Sequence, residues 1–257
     1  MKISVIIPSY NQAGYIKKTL QSILDQVIDH GLEVIVIDGG STDGTREILA
    51  DYGRIIWVSE KDKGQADAVN KGVRMASGQI IGWLNSDDIY LPGALQTVAD
   101  YFRDHPECGW VYGRCRIIDS SGEERWKWIT RYKNARLKKF SVEKLLRENF
   151  ISQPAVFFRK ELFEKAGHLD LSLKYAMDYD LWLRFTRISP AGVINHELAS
   201  FRRHGSSKSE TGFRGQFFEQ YAVARKYNPS FFDRALHRFN IFKIITSYRI
   251  LGWFSRF

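Results

Sequence analysis

Short apolar runs alternate with segments of helical periodicity along the first third of the chain. Runs rich in β-branched residues predict strands at 3–8, 32–38, 54–60 and 79–85. The segments between them predict helices at 13–26, 45–52 and 65–76. Strands that are apolar almost throughout and alternate with helices are typical of a parallel sheet covered by helices on both faces. The pattern therefore predicts an α/β fold with a mostly parallel sheet.

The pattern is looser in the rest of the chain. It predicts a helix at 94–106, a strand of antiparallel alternation at 108–119, and a strand followed by a helix within 152–170. No internal repeat or low-complexity linker interrupts these elements. We therefore expect one domain over residues 1–212, with halves of about 1–92 and 93–212, followed by a helical extension over 213–257.

Each predicted strand of the first half ends in polar residues, most of them acidic. These ends are Ser9-Tyr10-Asn11, Asp38 with Ser41 and Asp43, Asp62-Lys63-Gly64-Gln65, and Asn85-Ser86-Asp87-Asp88. Turns favour such residues, which explains any one of these ends. Polar ends on four strands in register are better explained by a ligand site, because ligands of open parallel sheets bind beyond the carboxyl ends of the strands.

The charge of the chain indicates an anionic partner. Its 257 residues carry a net charge of +9, and its pI is about 9.5. Nucleic acid, a phosphate-bearing substrate or an anionic membrane surface would each suit this balance. With only Cys108 and Cys115, we expect a reduced, cytoplasmic chain without a disulfide framework. The apolar run at the N-terminus is too short for a signal peptide, and no run predicts a membrane span.

Asp87 and Asp88 are adjacent carboxylates that repel each other unless something neutralises them. They are hard oxygen ligands suited to Mg²⁺ or Mn²⁺, which typically bind one or two carboxylates together with substrate phosphates. Asp38, at another strand end, is a candidate to accept hydrogen bonds from a base or ribose. The first hypothesis is therefore a metal-dependent enzyme that acts on a nucleotide-linked phosphate ester. No glycine-rich phosphate-binding motif is present.

Two other classes of protein would explain parts of the sequence. A nucleic-acid-binding protein would explain the charge and the segment 125–139, in which basic and aromatic residues are interleaved. Acids at the sheet edge would repel a polyphosphate, so we expect no nucleic-acid partner. A metal-dependent nucleotidyltransferase or pyrophosphorylase has a glycine- and basic-rich phosphate loop near its N-terminus, and "PSYNQAGY" at 8–15 is not one.

The motifs resemble those of the family 2 glycosyltransferases, which have the GT-A fold. The similar blocks are "SVIIPSYNQAGYIKKTLQSILDQ", "EVIVIDGGSTDGT", "DKGQADAVNKG", "GQIIGWLNSDDIYLPG", "YAMDYDLWLRF" and "FRRHGSSKS". Together they cover roughly residues 3–210 in the family's order. The resemblance implies an inverting hexosyl transfer from a nucleotide diphosphate sugar, with UDP as the expected nucleotide and Mn²⁺ or Mg²⁺ as cofactor. It also implies a saccharide or lipid-linked acceptor, as in bacterial cell-envelope or exopolysaccharide biosynthesis.

The resemblance also implies which residues form the site. The nucleotide side would be lined by Pro8, Tyr10, Asn11, Asp38, Asp62, Gly64, Asp67, Asn70 and Asp87. The metal would be held by Asp87, Asp88 and His204. The sequence has Asn85 where the family usually has a first acid, so which of the two aspartates is the direct ligand stays open. His204 also has a plainer interpretation as a loop histidine.

The block 175–186 is the expected source of the general base, although Met177 replaces an acid that many relatives carry. Asp178 keeps the family's position and is the candidate base, which would accept the proton of the acceptor hydroxyl. On a helix, Asp178 and Asp180 point about 200° apart, so only one of them can face the cleft. Pairing with Arg184 is the alternative role, and we assign it to Asp180. Gln153 is a candidate to fix a loop on the acceptor side.

The last segment, 234–257, contains five basic residues, six aromatic residues and no acid. A basic, aromatic helix of this kind can lie in a bilayer interface. It can equally pack on the catalytic domain. The sequence leaves both possibilities open, and the first would place the protein peripherally at the inner face of the plasma membrane.

Overall fold

The computed structural model describes residues 1–29, 31–137, 140–205, 207–227 and 230–254, except for the side chains of residues 209, 211, 213, 214 and 247–254. The strands are β1 (Ile3–Ser9), β2 (Leu32–Asp38), β3 (Ile56–Ser59), β4 (Ile80–Trp83), β5 (Ile89–Tyr90), β6 (Trp110–Ile118), β7 (Val156–Arg159) and β8 (Ala191–Arg202). The helices are α1 (Ile16–Leu24), α2 (Thr45–Ala50), α3 (Gln65–Met75), α4 (Ala94–Asp104), α5 (Lys127–Leu137), α6 (Val142–Arg147), α7 (Lys160–Ala166), α8 (Met177–Phe185), α9 (Lys208–Thr211), α10 (Phe213–Tyr227) and α11 (Phe231–Phe254).

The strands described here form one sheet in the order β3-β2-β1-β4-β7-β6-β8-β5. The first four in this order are parallel, with β1 between β2 and β4. Beyond β4 the sheet is mixed, because β7 runs antiparallel to both β4 and β6 whereas β8 is parallel to β6. The parallel half brings the carboxyl ends of β1, β2 and β4 to one edge, as the alternation of elements predicts.

The sequence pattern was most successful in the parallel half, where all four strands and three helices are confirmed. The antiparallel alternation predicted at 108–119 is only half of the arrangement, since β6 also pairs in parallel with β8. The strands β5 and β8 were not predicted. The polar run Asn195-His196-Glu197 interrupts the apolar pattern of β8 where its register with β6 shifts, which explains the omission.

Two buried clusters lie on opposite faces of the sheet and fix its helices. On one face, Trp110 of β6 stacks on Trp182 of α8 with ring centroids 5.7 Å apart. On the same face, α3 packs closely on β1 at Gly72, where a β-carbon would overlap the Ile6 side chain. The absence of a side chain at Gly72 therefore lets α3 approach the strand, and the tryptophan stack anchors α8 over the second half of the sheet.

The two last helices pack on the rest of the protein through their inner faces. Val223 and Ala224 of α10 are buried in the cluster that contains Trp182. The described side chains of α11 contact the end of α6, where the His237 Nδ1 atom lies 2.7 Å from the Leu146 carbonyl oxygen and Asn240 donates to the Arg147 carbonyl. Within the described residues, no helix combines the length and the apolar character needed to cross a bilayer.

Candidate active site

The turn after β1 is tied to the turn after β2 by Asn11. Its N–H donates to Ser41 Oγ at 2.7 Å, and its Oδ1 accepts the N–H of Thr42 at 2.9 Å. Asn11 has a φ of +53°, a left-handed conformation that asparagine tolerates better than most residues. Pro8 is buried within β1, and Tyr10 is 62% exposed beside Asn11. The two turns thus form one wall of a cleft with an exposed aromatic ring.

Asp38 lies at the end of β2 and is completely buried. Its carboxylate accepts hydrogen bonds from the N–H groups of Gly40 and Ser41 and from the hydroxyls of Ser41 and Ser59, at 2.5 to 3.1 Å. Both oxygens are therefore occupied by the protein. In this structure Asp38 fixes the turn after β2, and its predicted contact with the base stays a prediction.

Asp62 and Gly64 form the next part of the wall, between β3 and α3. Asp62 Oδ1 accepts the N–H of Gly64 at 2.8 Å. Gly64 has φ +102° and ψ −179°, a combination open almost only to glycine. A β-carbon on Gly39 would lie 2.9 Å from Asp62 Oδ2, so this carboxylate sits directly against the turn after β2. Two glycines therefore allow Asp62 to reach the cleft wall.

Asp67 and Asn70 use their side chains to support α3. Asp67 Oδ2 accepts the N–H of Lys63, and this hydrogen bond is the main reason that the pKa of Asp67 is lowered. The Asn70 amide exchanges two hydrogen bonds with the backbone of Leu169, at 2.9 and 3.0 Å. Their places on the nucleotide side stay predictions. What the structure shows is that Asn70 ties α3 to the segment that follows α7.

Asn85 is the centre of a hydrogen-bond network at the end of β4. Its Oδ1 accepts from Gln65 Nε2 at 2.6 Å and from the Trp83 indole at 3.1 Å. Its Nδ2 donates to Asp88 at 3.2 Å and to Gln153 at 3.0 Å. An aspartate has no donor when ionised and could not make the last two bonds. The amide at this position thus has a physical reason, because it must both accept and donate.

Asp88 and Asp87 have different surroundings although they are adjacent. Asp88 is completely buried and accepts the Arg202 N–H at 2.8 Å as well as the Asn85 amide. Burial, and after it the charge of Asp87, raises the pKa of Asp88 well above its ordinary value. The Asp87 side chain is 17% exposed, and its Oδ2 lies 3.0 Å from His204 Nε2. The structure thus pairs His204 with Asp87, the more accessible of the two carboxylates.

Arg202 holds this acidic turn together and was not singled out from the sequence. Its buried guanidinium donates to the carbonyls of Asp87 and Asp119, at 2.8 and 2.9 Å, and lies over the Tyr15 ring at 5.4 Å. A fixed positive charge beside two acids offsets part of their repulsion. Its position two residues before His204, in the same late block, was the available signal.

Asp87 and His204 suit a divalent cation. Asp87 Oδ2 and His204 Nε2 hydrogen-bond to each other at 3.0 Å, and a carboxylate oxygen and an imidazole nitrogen are both ligand types that Mn²⁺ accepts. Among the described residues, no three His, Cys, Asp or Glu side chains are grouped for a metal. Ions such as Mg²⁺ commonly take further ligands from phosphates and water.

Asp178 lies in the first turn of α8, which is held from outside by α10. Glu219 of α10 accepts the N–H groups of Lys174, Tyr175 and Ala176 at 2.5 to 2.9 Å, just before the helix begins. Burial raises the pKa of Asp178 to about 6, while Lys133 of α5 lowers it and Glu219 raises it. A carboxylate with a pKa near neutrality suits a general base.

Asp180 has the structural role assigned to it from the sequence. It is buried and forms an ion pair with Arg184 at 2.9 Å, and it accepts the Tyr227 hydroxyl at 2.8 Å. Gln153 bonds Asn85 and the Trp83 carbonyl at the end of β4, and its predicted role in fixing a loop on the acceptor side stays a prediction. Asp180 therefore fixes α8 to α10 and leaves Asp178 as the acid of this helix that is available to a substrate.

Lys208 links the two sides of the cleft and was missed by sequence reasoning. Its ammonium donates to Gln65 Oε1 at 2.9 Å, across 143 positions of sequence. Desolvation is the largest influence on the pKa of Lys208 and lowers it, whereas the carboxylates of Asp62 and Asp178 raise it. It also donates to the Lys174 carbonyl at 3.2 Å, four residues before Asp178. Lys208 is the first residue of α9 and belongs to the same late block as His204, which was the available signal.

The fold and this edge define a class of protein: an α/β protein whose parallel strands end in a paired-acid site opposite a desolvated carboxylate. Solved structures share the fold. The mannosyltransferase PcManGT from Pyrobaculum calidifontis, in complex with GDP-Man and Mn²⁺, matches with a TM-score of 0.71 and 20% identity over 93% of this chain and 69% of that chain. S. aureus TarS 1-349 in complex with UDP-GlcNAc matches with a TM-score of 0.68 and 18% identity over 87% and 65%. The predicted GT-A fold is confirmed.

The chain belongs to Glycosyl transferase family 2, whose sequence model matches residues 4–167. An uncharacterised glycosyltransferase of Rickettsia prowazekii is 31% identical over 81% of this chain. Chondroitin synthase of Escherichia coli is 33% identical over 80% of it, and a PGL/p-HBAD biosynthesis glycosyltransferase of Mycobacterium bovis is 32% identical over 70%. The match spans 66%, 30% and 68% of these relatives, respectively.

The Asn85 network generates a stability prediction. We expect Asn85→Asp to lower the free energy of unfolding by about 2–4 kcal/mol, because two buried acceptors lose their donor and a further carboxylate faces Asp88. Urea unfolding of both proteins measures the difference. Asn195→Asp is the matched control, since Asn195 is exposed and an aspartate can still accept the Arg114 hydrogen bond. Equal unfolding midpoints for Asn85→Asp and the control would show that the network does not stabilise the turn.

Proposed function

We propose that this protein transfers a hexose from a nucleotide diphosphate sugar, with UDP as the nucleotide, to an acceptor hydroxyl with inversion at the anomeric carbon. The observation that carries the proposal is that Lys208 bridges the two sides of the site, because its ammonium donates to Gln65 Oε1 of α3 at 2.9 Å and to the Lys174 carbonyl, four residues before Asp178, at 3.2 Å. The family and neighbours with UDP-GlcNAc and GDP-Man support the donor class. The relatives named for chondroitin and PGL/p-HBAD synthesis support a bacterial envelope or exopolysaccharide product.

The donor side has three parts. The base and ribose lie against the wall made by Pro8 to Asn11, Asp38 and the Asp62–Gly64 turn. A bound Mn²⁺ or Mg²⁺, held by Asp87 and His204, would offset the negative charge of the departing diphosphate. Lys208 would add a second positive charge that favours the same diphosphate. Asp88 would not contact the metal directly, because its carboxylate already accepts the Arg202 N–H and so holds the turn in place.

The acceptor side supplies the base. Asp178 accepts the proton of the acceptor hydroxyl while that oxygen forms a bond to the anomeric carbon and the bond from this carbon to the diphosphate oxygen breaks. The nucleoside diphosphate leaves on the face opposite to the attack, which inverts the anomeric centre. Lys133, whose ammonium donates to Ser152 at 3.1 Å, lies beside Asp178 and favours its ionised form.

The metal assignment is tested by titrating Mn²⁺ and UDP into variants. We expect Asp87→Asn and His204→Gln to weaken Mn²⁺-dependent UDP binding by at least about tenfold, since even outer-shell partners of a metal have effects of this size. Calorimetry measures UDP affinity with and without Mn²⁺, and water-proton relaxation measures bound Mn²⁺ directly. His196→Gln, an exposed histidine, is the control. Unchanged Mn²⁺ binding in both Asp87→Asn and His204→Gln would contradict the assignment.

The base assignment predicts a pH profile. Because Asp178 must be ionised to accept a proton and its pKa is about 6, the transfer rate should fall as the pH decreases below about 6. Lys133→Met removes a cation that lowers this pKa, so the acidic limb should move to higher pH. Lys165→Met, an exposed lysine of α7, should leave the profile unchanged.

Asp178→Asn should lower turnover by about 10²–10⁴ with UDP binding intact. The folded protein raises this pKa, so ionising Asp178 costs stability above pH 6 and nothing below about pH 4; the variant should therefore be at least as stable as the parent at pH 7. Retained turnover in Asp178→Asn would remove Asp178 from the mechanism.

We also propose that the outer face of α11 binds an anionic membrane, which would bring a lipid-linked acceptor to the site. The exposed rings of Phe231, Phe232, Phe239 and Phe242 fall within one sector of about 100° on the helix. Arg234, Arg238 and Lys243 flank this sector. The opposite side carries His237 and Asn240, which pack on α6. An apolar stripe with basic borders fits an anionic bilayer interface.

Vesicle sedimentation tests this surface. The full chain should co-sediment with phosphatidylglycerol vesicles, less so at high salt, and not with phosphatidylcholine vesicles. Phe239→Ser with Phe242→Ser should weaken binding by at least about tenfold, given the apolar area each ring buries. Phe218→Ser on α10 is the control, because Phe218 is equally exposed but lies on another helix. Equal sedimentation of the double variant and the control would refute the surface.

A further inference from the structure

A cavity outside the candidate active site lies between α5 and the strands β6 and β8. Its volume is about 470 Å³, within the range of small-ligand sites. Arg114 lines it from β6, Glu197 from β8, and Thr130, Arg131 and Asn134 from α5. A second cavity of about 400 Å³ shares Arg114 and continues along β8 past Asn195. None of the residues proposed to bind the donor or the metal lines either cavity.

Thr130 is the first indication that this cavity holds a ligand. Its side chain is 5% exposed, and within the described residues its Oγ1 has no hydrogen-bond partner. A buried hydroxyl without a partner costs free energy, and native proteins rarely leave one. Since Thr130 lines the cavity, a ligand acceptor or donor in the cavity would satisfy it.

The charges around the cavity indicate that the ligand is anionic. Lys127 and Arg131 are exposed and form no ion pair with any residue that the structure describes. Arg114 donates to the neutral Asn195 amide. Of the acids in the lining, Glu197 is already paired with Arg116 outside the cavity, which leaves Glu124 against three cations. The excess of positive charge favours a carboxylate or a phosphate.

The position of α5 connects this cavity with the acceptor. The same helix carries Lys133, which lies beside Asp178 and donates to Ser152. Just before α5 begins, the Trp126 ring lies 4.6 Å from the guanidinium of Arg203. Arg203 is the residue that precedes His204. α5 therefore carries both the cavity residues Thr130 and Arg131 and the lysine whose charge acts on Asp178. A saccharide chain with its reacting hydroxyl at Asp178 would pass this helix to reach the cavity.

We infer that this cavity is a subsite for an acidic group, a carboxylate or a phosphate, carried by the acceptor saccharide away from its reacting end. The inference rests on the proposed function only in identifying the saccharide as the acceptor. The cavity by itself predicts that an acidic saccharide binds when no donor is present. Arg131 and Lys127 contact the charge, and the Thr130 hydroxyl donates to it.

Calorimetry with the full chain tests the subsite, using three probes of similar length: a glucuronate-containing tetrasaccharide, its carboxyl-reduced neutral counterpart, and a glycerol-phosphate oligomer. Inorganic phosphate is a fourth probe. We expect the parent protein to bind at least one acidic oligomer and to bind the neutral one at least about tenfold more weakly. The stronger of the two acidic probes identifies a carboxylate or a phosphate source.

Three variants make the test specific. Thr130→Val and Arg131→Ala should each weaken binding of the acidic oligomer by about tenfold, the usual effect of losing a hydrogen bond to a charged group. Thr130→Ser keeps the hydroxyl and should restore the affinity. Thr130→Val should not lower the melting temperature, because it removes an unpartnered hydroxyl. Arg54→Ala, an exposed arginine before β3, is the control.

The outcomes separate the subsite from the proposed function. Undiminished oligomer binding in Thr130→Val and Arg131→Ala, equal binding of the neutral probe, or equal binding of inorganic phosphate alone would overturn the subsite. Mn²⁺-dependent UDP binding is measured in the same variants and should be unchanged. If UDP-sugars fail to bind the parent while the acidic oligomer binds as expected, the proposed function fails and the anionic saccharide site stands.

Discussion

The repulsion between Asp87 and Asp88 at the end of β4 is the constraint on which the site depends. Adjacent carboxylates in a partly buried turn require compensation, and the chain provides it from four directions. Asn85 donates to Asp88, the Arg202 N–H donates to the same carboxylate, the Arg202 guanidinium donates to the Asp87 carbonyl, and His204 lies against the Asp87 carboxylate. This compensation leaves Asp88 completely buried and Asp87 partly exposed, so Asp87 is the carboxylate of the turn that a ligand can reach.

A second set of contacts decides where the base lies. α8 is fixed from below by the stack of Trp182 on Trp110 and from the side by the pairing of Asp180 with Arg184 and Tyr227. Glu219 satisfies three N–H groups ahead of the helix, which otherwise would lack partners. Asp178 is thus held where burial raises its pKa. α10 contributes to the geometry of the base although it comes after the last block that resembles the family.

Much of the fold followed from local patterns, and much of the site did not. The strands of the parallel half were predictable because each is a short apolar run with turn residues at its end. β8 was not predictable, because its polar centre lies where the register with β6 shifts. Asp87 and His204 came from motif resemblance, whereas the late block that also contains Arg202 and Lys208 did not show what these two residues contact. Their partners are far away in sequence, as with Lys208 and Gln65, which are 143 positions apart.

The sequence by itself determined the order of strands and helices and the presence of acids beyond the strand ends, because periodicity and turn chemistry are properties of neighbouring residues. The tertiary structure alone decided which acid is available. Arg202 reaches Asp88 across 114 positions and His204 reaches Asp87 across 117. Such contacts set burial and hydrogen bonding, and these two properties, rather than residue identity, distinguish Asp87 from Asp88 and Asp178 from Asp180.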